Sequence, residues 1–259
     1  MRLRFLGTGT SFGIPVVGCD CAACTSTDAR DRRTRHAALL SGDDGARTLL
    51  VDAPPELRLQ LVEARVRHLD AVWFTHCHAD HIHGIDDLRV FSVRDDTLPA
   101  YAPEECAAVL RRRFAYIFDE TYLPPAGTSK PEIELRELHA YRPVRIAGFD
   151  MLPLPVVHGD MTPFGFRVGD LGYVTDAKAL PERTRAALDG VRVLVLNALW
   201  FGRPHPTHLN VEEAVALARD IGAERTYLTH LTHRVVHADL AERLPEGIEP
   251  AYDGLEVSV

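Results

Sequence analysis

The sequence predicts an α/β (α+β) fold in which β-sheets pack face to face and helices cover their outer surfaces. Two observations carry that prediction. Short apolar runs alternate with helical stretches in both halves of the chain, and 46% of the 259 residues are hydrophobic, ample for a large core. The length suits one domain over residues 1–259, because no linker or low-complexity segment divides it.

Residues 2–6, 37–40, 48–51 and 72–75 read as short apolar strands. Between the second and third, residues 41–47 with Asp43-Asp44-Gly45 at their centre read as a hairpin turn. Residues 54–67 read as a helix, with proline in the first turn and Leu57, Leu61 and Val62 on one face. Residues 103–118 give a second helix, and 148–157, 164–168 and 172–175 return to strands. The last third alternates: helix 181–188, strand 191–196, helix 211–220, strand 225–229, helix 238–244 and a strand near Val257. Residues 122–131, rich in proline, form either a mobile loop or an arm contacting a second subunit, and the latter implies a homodimer.

Net charge is -8, which argues against a nucleic-acid or membrane-surface binder. The one basic run, Arg30 to Arg35, is interrupted by Asp31 and reads either as a solvated loop or as a phosphate contact. The N-terminus lacks a signal-peptide pattern, and the most apolar run, 191–201, is too short to cross a bilayer. The expected compartment is therefore the reducing cytoplasm. There, cysteines 19, 21 and 24, three of an odd total of five, indicate metal or catalysis rather than disulfides.

The decisive stretch is Thr75-His76-Cys77-His78-Ala79-Asp80-His81, directly after an apolar strand and before a helix expected from Ile85. Its imidazoles and carboxylate can converge on a metal ion, and alternation keeps His76 and His78 on one side of an extended segment. No serine lies in a nucleophile-elbow motif. The stretch matches His-x-His-x-Asp-His, and the chain on this ground resembles the metallo-β-lactamase fold superfamily. The other positions of that pattern follow in order at strand ends: His158 in Pro-Val-Val-His-Gly, Asp176 in Gly-Tyr-Val-Thr-Asp and His230 in Tyr-Leu-Thr-His.

The resemblance implies an αββα sandwich of two mixed β-sheets flanked by helices. It implies two divalent metals (Zn, Mn or Fe), with His76, His78 and His158 on one, Asp80, His81 and His230 on the other, and Asp176 bridging. The metals would share a hydroxide that attacks the substrate. Asp80 is carried over as a catalytic residue as well as a ligand.

Two features indicate the branch. Phe5-Leu6-Gly7-Thr8-Gly9-Thr10-Ser11 is a strand entering a Gly-rich loop similar to that of phosphodiesterase branches, RNase Z among them. The Cys-x-Cys-x-x-Cys that follows resembles the cyclic phosphodiesterase of the carbon-phosphorus lyase pathway, which acts on 5-phosphoribosyl 1,2-cyclic phosphate. It also resembles pyrroloquinoline quinone biosynthesis protein B. The cysteine spacing indicates a zinc site. The resemblance implies that Cys19, Cys21, Cys24 and His233 hold one structural zinc, with His36, His237 and Cys77 as competing ligands.

His208, just before a helix, is carried over as an acid/base residue, against the alternative of a helix-entry histidine without function. His83 is expected to face solvent, Cys77 to be a small packed side chain, and His36, His68 and His139 to be bystanders. Residues 101–141 have no counterpart in the resemblance and are expected to shape the pocket. The expected activity is hydrolysis of a small or cyclic phosphodiester. The alternatives are an RNase Z-like nuclease on RNA ends, which the acidic charge and the lack of a Gly/Lys-rich arm disfavour, and a protein B-like pathway or binding protein. No membrane partner is expected.

Overall fold

Alternation along the strands sets the architecture of the computed structural model, which describes residues 1–43, 45–95 and 97–259. The first sheet takes β1 (Arg2–Gly7), β2 (Ala37–Ser41), β3 (Thr48–Val51), β4 (Ala71–Trp73), β5 (Leu98–Pro103) and β6 (Ile133–Leu138). The second takes β7 (Val144–Ile146), β8 (Phe149–Pro155), β9 (Phe164–Val168), β10 (Leu171–Tyr173), β11 (Val193–Asn197), β12 (Arg225–Thr229) and β13 (Ile248–Pro250). The chain then returns to the first sheet as β14 (Glu256–Ser258). Among the described residues each sheet has seven strands, ordered β14-β1-β2-β3-β4-β5-β6 and β13-β12-β11-β10-β9-β8-β7.

Both sheets are mixed. Strands β3 to β6 run parallel, as do β10 to β13, and the remaining pairs are antiparallel. Leu3, Phe5, Leu40, Val51 and Trp73 of the first sheet pack against Met151, Phe166, Tyr173 and Val195 of the second. The outer face of the first sheet is covered by α1 (Leu57–Glu63), α2 (Ala79–Ile82), α3 (Arg89–Asp95), α4 (Glu104–Arg113) and α5 (Ala115–Phe118). On the second sheet lie α6 (Glu182–Ala187), α7 (Val211–Ile221) and α8 (His237–Arg243). The four layers are helix, sheet, sheet, helix.

Several local readings change. The helix expected over 54–67 shortens to α1, because Arg65 turns to φ 55° just beyond it. The helix expected over 103–118 begins after Pro103, which ends β5, and breaks at Phe114 (φ -115°, ψ 44°) into α4 and α5. After Ile85 a 3₁₀ turn precedes α3. Strands β5, β6, β7 and β13 were not foreseen. The centre of the expected 43–45 turn, Asp44, lies outside the described residues, although Gly42 N–H donates to Arg47 C=O at 2.9 Å to close the hairpin. Among the described residues no helix is long and apolar enough to cross a membrane.

The basic run is solvated in part, with Arg30 and Arg32 exposed. Arg33 is fully buried and donates to the Ala251 carbonyl at 2.7 Å. Arg30 is clasped by Asp28, and Arg35 pairs with Glu56 at 2.5 Å while its Nε holds the Ser11 carbonyl at 2.7 Å. Arg35 thereby pins the Gly-rich loop. Gly7 is required there, because a Cβ would stand 2.0 Å from the Arg35 carbonyl oxygen.

Candidate metal centre and active site

The C-terminal ends of β3, β4, β10 and β12, with the chain beyond β8, meet on one rim of the sandwich. Parallel pairing of β3 with β4, and of β10 with β11 and β12, brings Asp52, His76, Asp176 and His230 to that rim together. Three of these turn into left-handed backbone: Asp52 at φ 63°, Asp176 at 54° and His230 at 57°. They are half of the six non-glycine residues with positive φ among the described ones. Such backbone costs about 1–3 kcal/mol per residue, and aspartate and histidine tolerate it best.

Between β4 and α3 the chain turns at His78, the N-cap of α2, so Asp80 and His81 lie in a short helical turn. Gly84 lets this turn close on the α1 entry, since a Cβ there would meet the Pro54 carbonyl oxygen at 2.1 Å. The ligand atoms then fall into compact groups, each within 4.8 Å: His76, His78 and His158; Asp80, His81 and His230; His76, His81 and Asp176; His158, Asp176 and His208. The first two triads are the two ligand sets of the sequence reading. Asp176 joins them, its carboxylate 3.4 Å from His81 Nε2 and 3.2 Å from His230 Nε2.

Hydrogen bonds fix which nitrogens face inward. His81 Nδ1 lies 2.7 Å from Asp52 Oδ2, and His158 Nδ1 lies 2.9 Å from the Thr207 carbonyl oxygen. Both oxygens only accept, so Nδ1 carries a proton and Nε2 is the nitrogen turned towards a cation. The Asp52 carboxylate is itself held by Thr75 N–H at 2.8 Å and Thr75 Oγ1–H at 2.9 Å. Asp52 was not foreseen, although it ends an apolar strand in the same way as Asp176.

The donor set fits divalent cations. His81 Nε2 and both nitrogens of His230 are buried without a hydrogen-bond partner, a costly arrangement unless they bind something. Burial alone would discharge His81, but the carboxylates of Asp176, Asp52 and Asp80 outweigh it and raise its pKa to about 10. Burial pushes Asp176 up, yet the His230 and His81 imidazoles draw it well below the usual carboxylate range. Burial, helped by the His208 and His81 imidazoles, outweighs the Asp176 and Asp80 carboxylates and lowers His230 to about 4. Burial likewise lowers His76, His78 and His158, and neutral imidazoles beside the Asp176 and Asp80 carboxylates are a donor set that suits a metal.

His208, half-buried, points Nε2 at Asp176 Oδ1 at 3.0 Å and stacks on the His230 ring at 5.0 Å. His36 belongs to none of the metal-ligating groups among the described residues. It is fully buried behind the centre, with Nε2 2.8 Å from the Tyr173 hydroxyl and its ring 5.5 Å from His81. His83 is exposed and packs on Phe114, and His68 pairs with Asp70 at 2.9 Å.

The cysteine loop closes on the same region. Cys19, Cys21 and Cys24 place their sulfurs 3.2, 3.5 and 3.8 Å from His233 Nδ1. The Cys24 backbone N–H lowers the Cys21 thiol to about 6, giving one thiolate near neutral pH. Cys24, pushed up by desolvation to about 11, stays a thiol until a cation displaces its proton. Of the competing ligands, His36 lies behind His81, His237 packs against Tyr252, and Cys77 lies between His76 and His78.

Residues 47–231 match the family described as beta-lactamase superfamily domain. The octanoyltransferase of Porphyromonas gingivalis is 36% identical over 260 residues, covering 100% of this chain and 52% of that protein. The chain thus spans about half the length of that curated relative. A crystal structure of a diphosphatase from the PhnP family superposes with a TM-score of 0.90 at 35% identity, covering 100% of this chain and 97% of the other. Zn²⁺-bound PqqB from Methylobacterium extorquens shares the fold, with a TM-score of 0.80 at 17% identity over the whole of both chains. With four layers, His/Asp groups at strand ends and a family match across most of its length, the chain belongs to the beta-lactamase superfamily.

Proposed function

We propose that the chain is a metal-dependent hydrolase that cleaves a small or cyclic phosphodiester. The observation that carries this is the convergence of His76, His78, Asp80, His81, His158, Asp176 and His230 on one rim, with His81 Nε2 and both His230 nitrogens buried without a hydrogen-bond partner. Likeness to a PhnP-family diphosphatase at 35% identity supports phosphoryl chemistry over other reactions of the fold. The internal use of Arg30, Arg33 and Arg35 supports a small substrate over a polynucleotide, because backbone gripping needs several free cations.

His76, His78 and His158 would hold one cation, Asp80, His81 and His230 a second, and Asp176 would lie between them. Zinc, manganese or iron ions bound there would polarise phosphoryl oxygens and acidify a water. Asp52 fixes His81, and the Thr207 carbonyl fixes His158, so neither ring reorients as substrate enters. Asp176 only accepts, so the proton between it and His208 lies on His208 Nε2, facing the cluster. From there it can pass to the departing alkoxide, a step worth typically 10²–10⁴-fold. Cys19, Cys21, Cys24 and His233 would hold a structural zinc in a closed shell.

The test is hydrolysis of bis(p-nitrophenyl) phosphate by protein supplied with manganese or zinc. Asp80→Ala and Asp176→Ala should each abolish it. Undiminished turnover in either variant would rule out the proposed centre.

A further inference from the structure

A cavity of about 440 Å³ opens beside the metal centre, lined by His208 and His230 together with Phe12, Trp200, His205 and Arg234. The Trp200 indole is held rigidly. Its Nε1–H donates to the Arg203 carbonyl at 2.8 Å, and the His205 ring meets it edge-on at 5.5 Å. The Arg234 guanidinium carbon lies 4.5 Å from the indole centroid, and among the described residues Arg234 has no ion-pair partner. Phe12 is 72% exposed on the Gly-rich loop that Arg35 pins through the Ser11 carbonyl. A large aromatic left in water, lining the same cavity as a cationic stack, is an arrangement for a flat ligand.

We propose that this cavity is a nucleoside site: a base stacks on the Trp200–Arg234 pair, with Phe12 closing over it. It rests on the phosphodiesterase reading for the placement of phosphorus at the metal centre. A diester bound there sends one ester substituent past His208 into the cavity. A guanidinium backed by an indole offers a heteroaromatic base both a flat surface and positive charge, so a nucleoside substituent fits better than a simple alkyl group. The preorganised ring spares the ordering cost that a mobile side chain would incur.

The test compares two ligands differing only in the base, deoxyadenosine 5′-monophosphate and 2-deoxyribose 5-phosphate, with binding measured by calorimetry. The nucleotide should bind about tenfold more tightly. Location is read independently, because the chain has two tryptophans and Trp73 is fully buried in the inter-sheet core. A saturable change in tryptophan emission with the nucleotide should vanish in Trp200→Phe. Arg234→Ala should reduce the preference towards unity, and Arg234→Lys should do likewise while holding the sugar phosphate, since it keeps the charge without the plane.

Equal affinity for the two ligands, or a tenfold preference surviving both Arg234 variants, overturns the nucleoside site. Binding and turnover separate the two readings. A chain that hydrolyses bis(p-nitrophenyl) phosphate but does not distinguish the ligands loses only the nucleoside site. One that prefers the nucleotide yet cleaves no diester keeps the site and loses the diesterase reading.

Discussion

Asp52 holds His81 from behind, with Oδ2 2.7 Å from Nδ1 and both side chains fully buried. The contact joins the end of β3 to the short helix α2, so the first sheet itself orients the imidazole. Asp52→Asn keeps the shape and removes the charge. Outer partners of this kind typically contribute 10–100-fold in metal affinity. Competition with a chromophoric chelator should therefore show one cation bound about 10–100-fold more weakly, the other unchanged. Wild-type affinity at both sites would mean that Asp52 serves the fold alone.

His208 is expected to act on the leaving group rather than on the metals. His208→Asn should then depend on the substrate. Diesters with an alkoxide leaving group should lose about 10²–10⁴-fold in kcat, while p-nitrophenyl esters, which depart without a proton, should lose far less. Metal content should stay at the wild-type level. An equal loss with both kinds of ester would assign His208 to holding Asp176 in place.

The cysteine loop offers a test at a distance. His233 follows His230 by three residues, Cys21 Sγ lies 3.3 Å from the His233 carbonyl oxygen, and Leu231 N–H donates to the Thr8 carbonyl at 2.9 Å. A zinc ion there would tie the N-terminal loop to the strand end bearing His230. Cys21→Ser should lose one zinc per chain by elemental analysis, melt at lower temperature, and lose activity through a displaced His230. Loss of the zinc with full activity and unchanged melting would refute the clip.

Much of this arrangement was legible in the sequence because its chemistry is local. His76 to His81 lie on one loop, and His158, Asp176 and His230 each end an apolar strand, so side-chain type and position coincide. Asp52 has the same strand-end position but no neighbouring ligand to single it out. His36 gains its place only when β2 packs the ring behind His81, a contact between residues 45 positions apart.

Strand β5 was hidden by Pro99 and Pro103. It tolerates them because β4 pairs with it only at Ala100 and Tyr101, leaving both prolines outside that ladder. Strand β6, Ile-Glu-Leu-Arg-Glu-Leu, uses helix-forming residues on an exposed sheet edge, where the Glu134–Arg136 ion pair discourages pairing with another chain. The bonding of Arg33 and Arg35 was invisible too, because the Ala251 carbonyl and Glu56 lie far along the chain until the fold brings them close.

His237, at the start of α8, provides the pH test away from the metal centre. Burial, with Arg33 and Arg30 nearby, lowers it to about 4, against about 6.5 in an unfolded chain. Between these values the unfolded chain binds a proton that the native state refuses. Its contribution is therefore complete above pH 6.5 and is lost as pH falls towards 4. Between pH 7.5 and 5.0 this one group should remove about 2 kcal/mol, or roughly 4–8 °C in melting temperature for a chain of this size. His237→Gln cannot take up that proton, and its backbone N–H can still donate to Asp31 as in the native chain. Acidification of the cysteine loop and of the metal centre is common to both proteins, so the difference between their melting curves isolates His237. The wild type should lose more stability than the variant over that interval, and an identical loss would show that His237 already titrates near 6.5 in the folded protein.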